Sequence, residues 1–179
     1  MRFIAVGLFV LAACVTAHAD TISGPARVQD ADTVTIDGER LRLDGVDAPE
    51  IDQFCLDGEG KRWLCGIVAR DALLKEFGNH AWACSWSERD DYTRALATCR
   101  ANGRDINQWL VESGWAIAYR QYSGRYISAE ELARGARAGL WAGSFVAPWA
   151  WRGRNCATNV LGARVVPPDM RKVLCSNTL

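Results

Sequence analysis

Histidine is almost missing from this chain. Only two of its 179 residues are histidines, and one, His18, falls in a stretch that reads as a leader. The other, His80, stands among strand-forming residues and reads as structural, so mechanisms that need two imidazoles are excluded. Two motifs are also absent: the G-x-S-x-G nucleophile elbow and the G-x-x-x-x-G-K-[ST] phosphate loop. No cysteine pair has C-x-x-C spacing, which discounts a structural zinc. An excess of basic charge is lacking too. Lysine and arginine number 21 against 21 acids, a formal net charge of zero. That argues against the broad basic groove that dominates non-specific nucleic-acid affinity. Any such binding has to be local or bridged by a metal.

The longest apolar run, Phe3 to Val15, is too short to span a bilayer comfortably, since a crossing helix needs roughly 20 residues. Preceded by Arg2 and followed by Ala17-His18-Ala19, it has the form of a signal peptide cleaved after Ala19. Leu11-Ala12-Ala13-Cys14 offers a competing lipobox reading with Cys14 as the lipidated residue. The first reading is preferred, so the expected organisation is a leader over 1–19, one domain over 20–152 and a C-terminal extension over 153–179. An exported, monomeric protein, periplasmic or secreted, follows. Setting Cys14 aside leaves an even number of cysteines, which in an oxidising compartment reads as three disulfides. Fifteen pairings are possible. Proximity favours Cys55–Cys65, Cys84–Cys99 and Cys156–Cys175, and a hairpin centred near Asp91-Tyr92 would set Cys84 across from Cys99.

What the chain does have is ordered: 49% hydrophobic residues with 23% charged, enough for one packed domain. Asp37-Gly38 and Asn102-Gly103 are tight-turn signals between short apolar strands. Apolar spacing predicts a helix over Lys61–Phe77 stopped by Gly78. Strands are expected around Ala81–Ser87 and Thr93–Arg100, then a short helix capped by Asp105 and ending at Gly114. Ser128-x-x-Glu131 has the form of a capping box opening a helix that Gly139 stops. Strands and helices segregate, so the class is α+β, with a small barrel of about five strands and flanking helices.

The chemistry left is that of carboxylates and arginines. Asp32, Arg42, Asp47 and Glu50 cluster in the stretch DADTVTIDGERLRLDGVDAPE over 30–50, the place where a hard cation and a phosphate could meet. Five segments follow one another in order: DADTVTI, RLDGVDAPE, Gln53-Phe54-Cys55, DDYTR at 90–94, and INQWLVESGWAIAY. After them come Ala133-Arg134 in the later helix and Gly139-Leu140-Trp141. In that order the series resembles the staphylococcal nuclease (thermonuclease) family over about Ala26 to Arg152. The resemblance implies an OB-type five-stranded β-barrel with three helices and hydrolysis of DNA and/or RNA. It implies Ca2+ held by Asp32, Asp47 and the backbone carbonyl of Ala48, with Glu50 orienting the attacking water. Arg42 and Arg94 then clamp the scissile phosphate, and Tyr92 and Tyr119 are candidates for stacking on a base. The tryptophans, including Trp141, Trp149 and Trp151, are expected in the packing. A catalytically silent OB-type module that binds nucleic acid or another polyanion is the alternative.

Three residues depart from the family pattern. Ala31 and Thr93 stand where it has glycine, and Asp91 where a basic residue is common. A strict two-residue turn at Asp37-Gly38 also poses a register problem, because it sets Asp32 opposite Leu43 and on the other side from Arg42. Convergence then requires a bulge, a longer turn or strong coiling.

Overall fold

A computed structural model describes residues 19–155 and 159–163 and positions 166, 171, 174 and 175. In chain order the elements are β1 (Asp20–Pro25), β2 (Arg27–Val28), β3 (Thr33–Ile36), β4 (Glu39–Leu43) and β5 (Val46–Asp47). They continue with β6 (Phe54–Leu56), β7 (Arg62–Leu64), α1 (Cys65–Phe77), β8 (Ala81–Arg89), β9 (Ala95–Ala101) and β10 (Arg104–Asp105). Last come α2 (Ile106–Glu112), β11 (Ile117–Ala118), α3 (Ile127–Gly135), a 3-10 turn (Gly139–Ala142), β12 (Ser144–Val146), α4 (Pro148–Arg152) and β13 (Val160–Gly162).

The largest sheet runs β1-β8-β9-β4-β3-β2, with β10 added on β9. All its pairings are antiparallel except β4 with β9. Both expected turns form with two central residues in the left-handed region, Asp37 and Gly38 at φ 48° and 83°, Asn102 and Gly103 at 49° and 74°. Asp and Asn tolerate that region better than other residues with a β-carbon, which is why these dipeptides encode the hairpins. Cys84 pairs directly with Cys99 across β8 and β9, and both Cys84–Cys99 and Cys55–Cys65 are bonded. The Cys156–Cys175 pair lies partly outside the described residues, as does the leader.

The class is α+β, but the pairings do not close a five-stranded barrel among the described residues, and α4 adds a fourth helix to the three expected. One apolar core lies under the curled main sheet, where Leu41, Leu43, Ala95 and Ala97 pack with Leu73, Phe77, Trp82 and Leu110. A second surrounds β6 and β12 and holds Phe145, Leu140, Trp141 and Trp151.

Three boundaries differ from expectation. Residues 61–64 are not the start of a helix: β7 pairs with β6, because Asp57 accepts from the amides of Glu59 and Lys61 and folds the chain back. Alternating Trp63 and Cys65 serve a strand as well as they serve a helical face. Ser128 does not cap α3, which begins one residue earlier behind Tyr126 without a side-chain cap. α3 also ends at Gly135 rather than near Gly139, since the turn that follows puts Arg137 at φ 51°. Among the described residues no helix is long and apolar enough to cross a membrane.

Candidate active site

The register problem has a simple solution. The strict turn is kept, with Thr33 opposite Arg42 and Val34 opposite Leu41. Asp32, however, lies outside β3, in a bend where Asp30 Oδ1 accepts its amide at 3.0 Å. Strand alternation therefore ends at Thr33, and the Asp32 side chain is free to turn towards Arg42. Its Oδ1 accepts from Arg42 Nη1 at 2.8 Å and its Oδ2 from the Ala48 amide at 2.8 Å. Ala31, fully buried, takes no positive φ, so its β-carbon brings no left-handed strain.

Asp47 enters from β5, which β11 covers by pairing Ile117 with Asp47. That pairing leaves the carboxylate wholly buried. Its Oδ1 accepts from Arg42 Nη2 at 2.8 Å and from Arg152 Nη1 at 2.9 Å. Arg152 Nη1 also reaches Glu50 Oε1 at 2.8 Å. The result is a continuous line of alternating charge: Asp32, Arg42, Asp47, Arg152, Glu50. The backbone of Glu50 is set from two sides. Gln53, itself buried, accepts from the Glu50 amide and donates to the Val146 carbonyl. On the other side helix α1 abuts at Gly66, where a β-carbon would stand 1.8 Å from the Glu50 carbonyl oxygen. Gln53 enters the sequence reading only as part of the Gln53-Phe54-Cys55 segment, without a role at the site, and Gly66 and Arg152 have no role in it.

Arg94 comes from the parallel neighbour. Because Arg42 aligns with Leu96, alternation puts Arg94 on the Arg42 face, while Ala95 and Ala97 face the core. Arg94 is held by Asp90, through Nε at 2.7 Å and Nη2 at 2.6 Å. Asp32, Arg42, Glu50, Arg94 and Arg152 line one cavity of about 700 Å³, and Asp47 lies beneath its floor. Tyr92 and Tyr119 line it too. Tyr92 is 74% exposed. Tyr119 lies parallel to Trp149, with ring centroids 6.0 Å apart. Trp149 is partly exposed, unlike the buried Trp141 and Trp151, so the packing role expected of it covers one face only.

Burial pushes the Asp47 carboxyl up to about 6, and Asp32 adds to the rise against the pull of Arg152 and Arg42. Asp30 rises to about 7, chiefly by desolvation and then by repulsion from Asp32. Carboxylates crowded in this way favour a cation between them.

The 90–94 turn carries the second glycine departure. Asp90 Oδ1 accepts from the amides of Tyr92 and Arg94, and this places Thr93 at φ 65°. A β-branched residue is strained there. Thr93→Gly is therefore expected to raise stability by about 0.5–1 kcal/mol, after the extra chain entropy of glycine. In thermal unfolding this would read as a gain of about 1–4 °C, and an unchanged or lower midpoint would refute it.

The geometry places these residues together, and similarity to known proteins says what kind of chain carries them. Residues 40–143 match the model of the family described as staphylococcal nuclease homologue. The chain belongs to the staphylococcal nuclease family. The chain is 43% identical to the succinoglycan biosynthesis protein ExoI of Rhizobium meliloti (strain 1021), over 74% of this chain and 73% of the relative. It is 30% identical to an uncharacterized endonuclease of Escherichia coli O157:H7, over 76% and 88%. With the staphylococcal-like nuclease CAN1 of Arabidopsis thaliana it shares 32% identity, over 63% of this chain and 33% of the relative. Membership in the staphylococcal nuclease family supports nuclease activity and implies a nucleic-acid substrate.

Proposed function

We propose that the chain is an exported, calcium-dependent nuclease that hydrolyses phosphodiester bonds of DNA and/or RNA at the Asp32–Glu50 cluster. The observation that supports this most is the convergence of Asp32, Arg42, Asp47 and Glu50 in one network, with Arg94 on the same cavity. Two disulfides are compatible with an oxidising compartment outside the cytosol.

The donor set suits a hard cation. Asp32 and Asp47 offer carboxylate oxygens, and Asp47 Oδ2 is buried without a hydrogen-bond partner. Among the described residues no three histidine, cysteine, aspartate or glutamate side chains gather to hold an ion. The remaining positions would thus fall to the Ala48 carbonyl and to water, which calcium accepts readily. When bound, the ion supplies Lewis-acid polarisation of a phosphate oxygen. Glu50 orients the attacking water and takes its proton. Arg42 presents a rigid donor fork to the negative charge that grows on the equatorial oxygens. Arg94 does the same from the facing hairpin once a phosphate competes with Asp90 for its donors. Tyr92, exposed at the cavity mouth, and Tyr119 offer faces to flanking bases.

Digestion of plasmid DNA and of RNA, with calcium and with a chelator, tests the reading on wild type, Glu50→Ala and Arg94→Ala. Activity is expected only with calcium, with losses of about 10²–10³ in each variant. Cleavage that persists in chelator, or full activity in both variants, would sink it. Nucleic-acid binding without cleavage would favour the silent module.

A further inference from the structure

Arg152 has no part in the roles assigned above, yet it touches two residues that do. It lies beyond the segment matched to the family, at the end of α4. Its Nη1 bonds Glu50 Oε1 at 2.8 Å while also bonding the buried Asp47 Oδ1 at 2.9 Å. Glu50 itself is only partly buried, and a glutamate side chain on a cavity wall would otherwise sample several rotamers. A charged hydrogen bond from a guanidinium that is anchored at Asp47 selects one of them.

The anchoring continues behind Arg152. Pro148 starts α4 at its first turn, and Trp151, one residue from Arg152, is buried in the second core. Trp151 Nε1 lies 3.4 Å from Asp52 Oδ1, two residues beyond Glu50. The strand leading into α4 carries the Val146 carbonyl that receives Gln53 Nε2 at 2.7 Å. The 50–53 turn is therefore tied to the β12–α4 segment at three places, and Arg152 is the one tie that ends on the Glu50 carboxylate.

We infer that Arg152 is a positioning residue of the nuclease site: it holds the Glu50 carboxylate in the orientation from which it directs water. This rests on the proposed role of Glu50. Arg152 acts through that residue and not through the metal ligands, although it touches one of them. Loss of the contact would slow the chemical step and leave substrate binding largely intact, because misplacing a catalytic group by about 1 Å can cost about 10²-fold.

The test uses the full-length protein and a fluorophore-quenched single-stranded DNA oligonucleotide, with Glu50→Gln, Arg152→Ala, Arg152→Lys and the Glu50→Gln/Arg152→Ala double variant. Arg152→Ala is expected to lose about 10²-fold in kcat, with KM within about threefold of wild type. Arg152→Lys, which keeps the charge on a shorter side chain that cannot set its nitrogen where Arg152 Nη1 stands between Asp47 and Glu50, should fall between Arg152→Ala and wild type. Guanidinium ion at sub-denaturing concentration should restore part of the Arg152→Ala rate. In the Glu50→Gln background, removing Arg152 should cost nothing further, the mark of two residues acting as a unit. Calcium titration by calorimetry should show affinity in Arg152→Ala close to that of wild type.

If Arg152→Ala keeps its kcat while Glu50→Gln does not, the inference fails and the role of Glu50 stands. Additive losses in the double variant, or a loss of calcium affinity as large as the loss of rate, would overturn it as well. Full activity of Glu50→Gln would remove the Glu50 reading and the inference with it. Should Arg152→Ala fail to fold by circular dichroism, Arg152→Lys decides: a kcat equal to wild type, or a loss confined to KM, refutes the proposal.

Discussion

Arg42→Ala is expected to abolish nearly all activity and to destabilise the protein by about 3–5 kcal/mol, the usual cost of breaking a buried ion pair from one side. Arg42 is 13% exposed and bridges two carboxylates that are almost or wholly out of solvent. Removing it leaves Asp32 and Asp47 facing each other with Arg152 as the remaining cation on Asp47. If Arg42 is the transition-state donor proposed above, its loss alone should lower the rate about 10²–10³-fold. The stability loss carries a pH signature of definite sign. Asp47 already stands near 6 with both guanidiniums in place, above its unfolded value, so its charge destabilises the fold once pH exceeds the unfolded carboxylate range. Without Arg42 its carboxyl rises further. The gap between variant and wild type should therefore be widest above neutral pH and narrow as pH falls through 6 and Asp47 takes up a proton. Urea unfolding of metal-free protein at pH 5 and pH 8 measures both. A gap that is equal at the two values, or wider at pH 5, would refute this account.

The second large effect is expected from Cys84→Ala/Cys99→Ala. The bond closes a loop of sequence separation 15, for which the chain-entropy model gives about 3 kcal/mol of stabilisation. It also joins directly opposed residues of β8 and β9, behind the turn that carries Arg94. The variant should lose about 3 kcal/mol of unfolding free energy, read as a lower urea midpoint at an unchanged slope, and should lose activity although the charge of Arg94 is unchanged. Chemical reduction of wild type would confound the comparison by opening Cys55–Cys65 too, so the double substitution is the cleaner measurement. A midpoint within experimental error of wild type would rule the account out.

Much of the main sheet was readable residue by residue, because Asp37-Gly38 and Asn102-Gly103 have one good conformation each between apolar runs. Asp105 as the cap of α2 was readable for the same local reason, and its carboxylate accepts from Gln108. The beginning of α1 was not. Arg62-Trp63-Leu64 fits a helical face and a short strand equally well, and the decision came from Asp57, several residues away. The site divides in the same way. Asp32, Arg42, Asp47 and Glu50 lie within one short stretch whose pattern resembles a known family, so their convergence could be expected, although the side on which Asp32 would emerge could not. Arg152 left no usable trace. It sits in Pro-Trp-Ala-Trp-Arg-Gly-Arg, too short for periodicity, and is brought to Asp47 across a sequence separation of 105. Gly66 likewise matters for what it lets approach, and that information sits at Glu50.

The parallel pairing of β4 with β9 and the Asp47–Arg152 bond have a consequence for how the chain matures. Both are contacts of long range in sequence, and a chain dominated by such contacts folds more slowly than one built from local ones. A chain that emerges amino end first has Asp32 and Asp47 long before it has the strand that carries Arg94 or the helix that carries Arg152. Until residue 152 is free to dock, the 30–50 stretch holds its acids with only its own Arg40 and Arg42 to balance them, and the Glu50 carboxylate lacks its tether to Arg152. Assembly of this site therefore waits on the docking of Arg152, and chains that stop short of it carry the site's parts without its order.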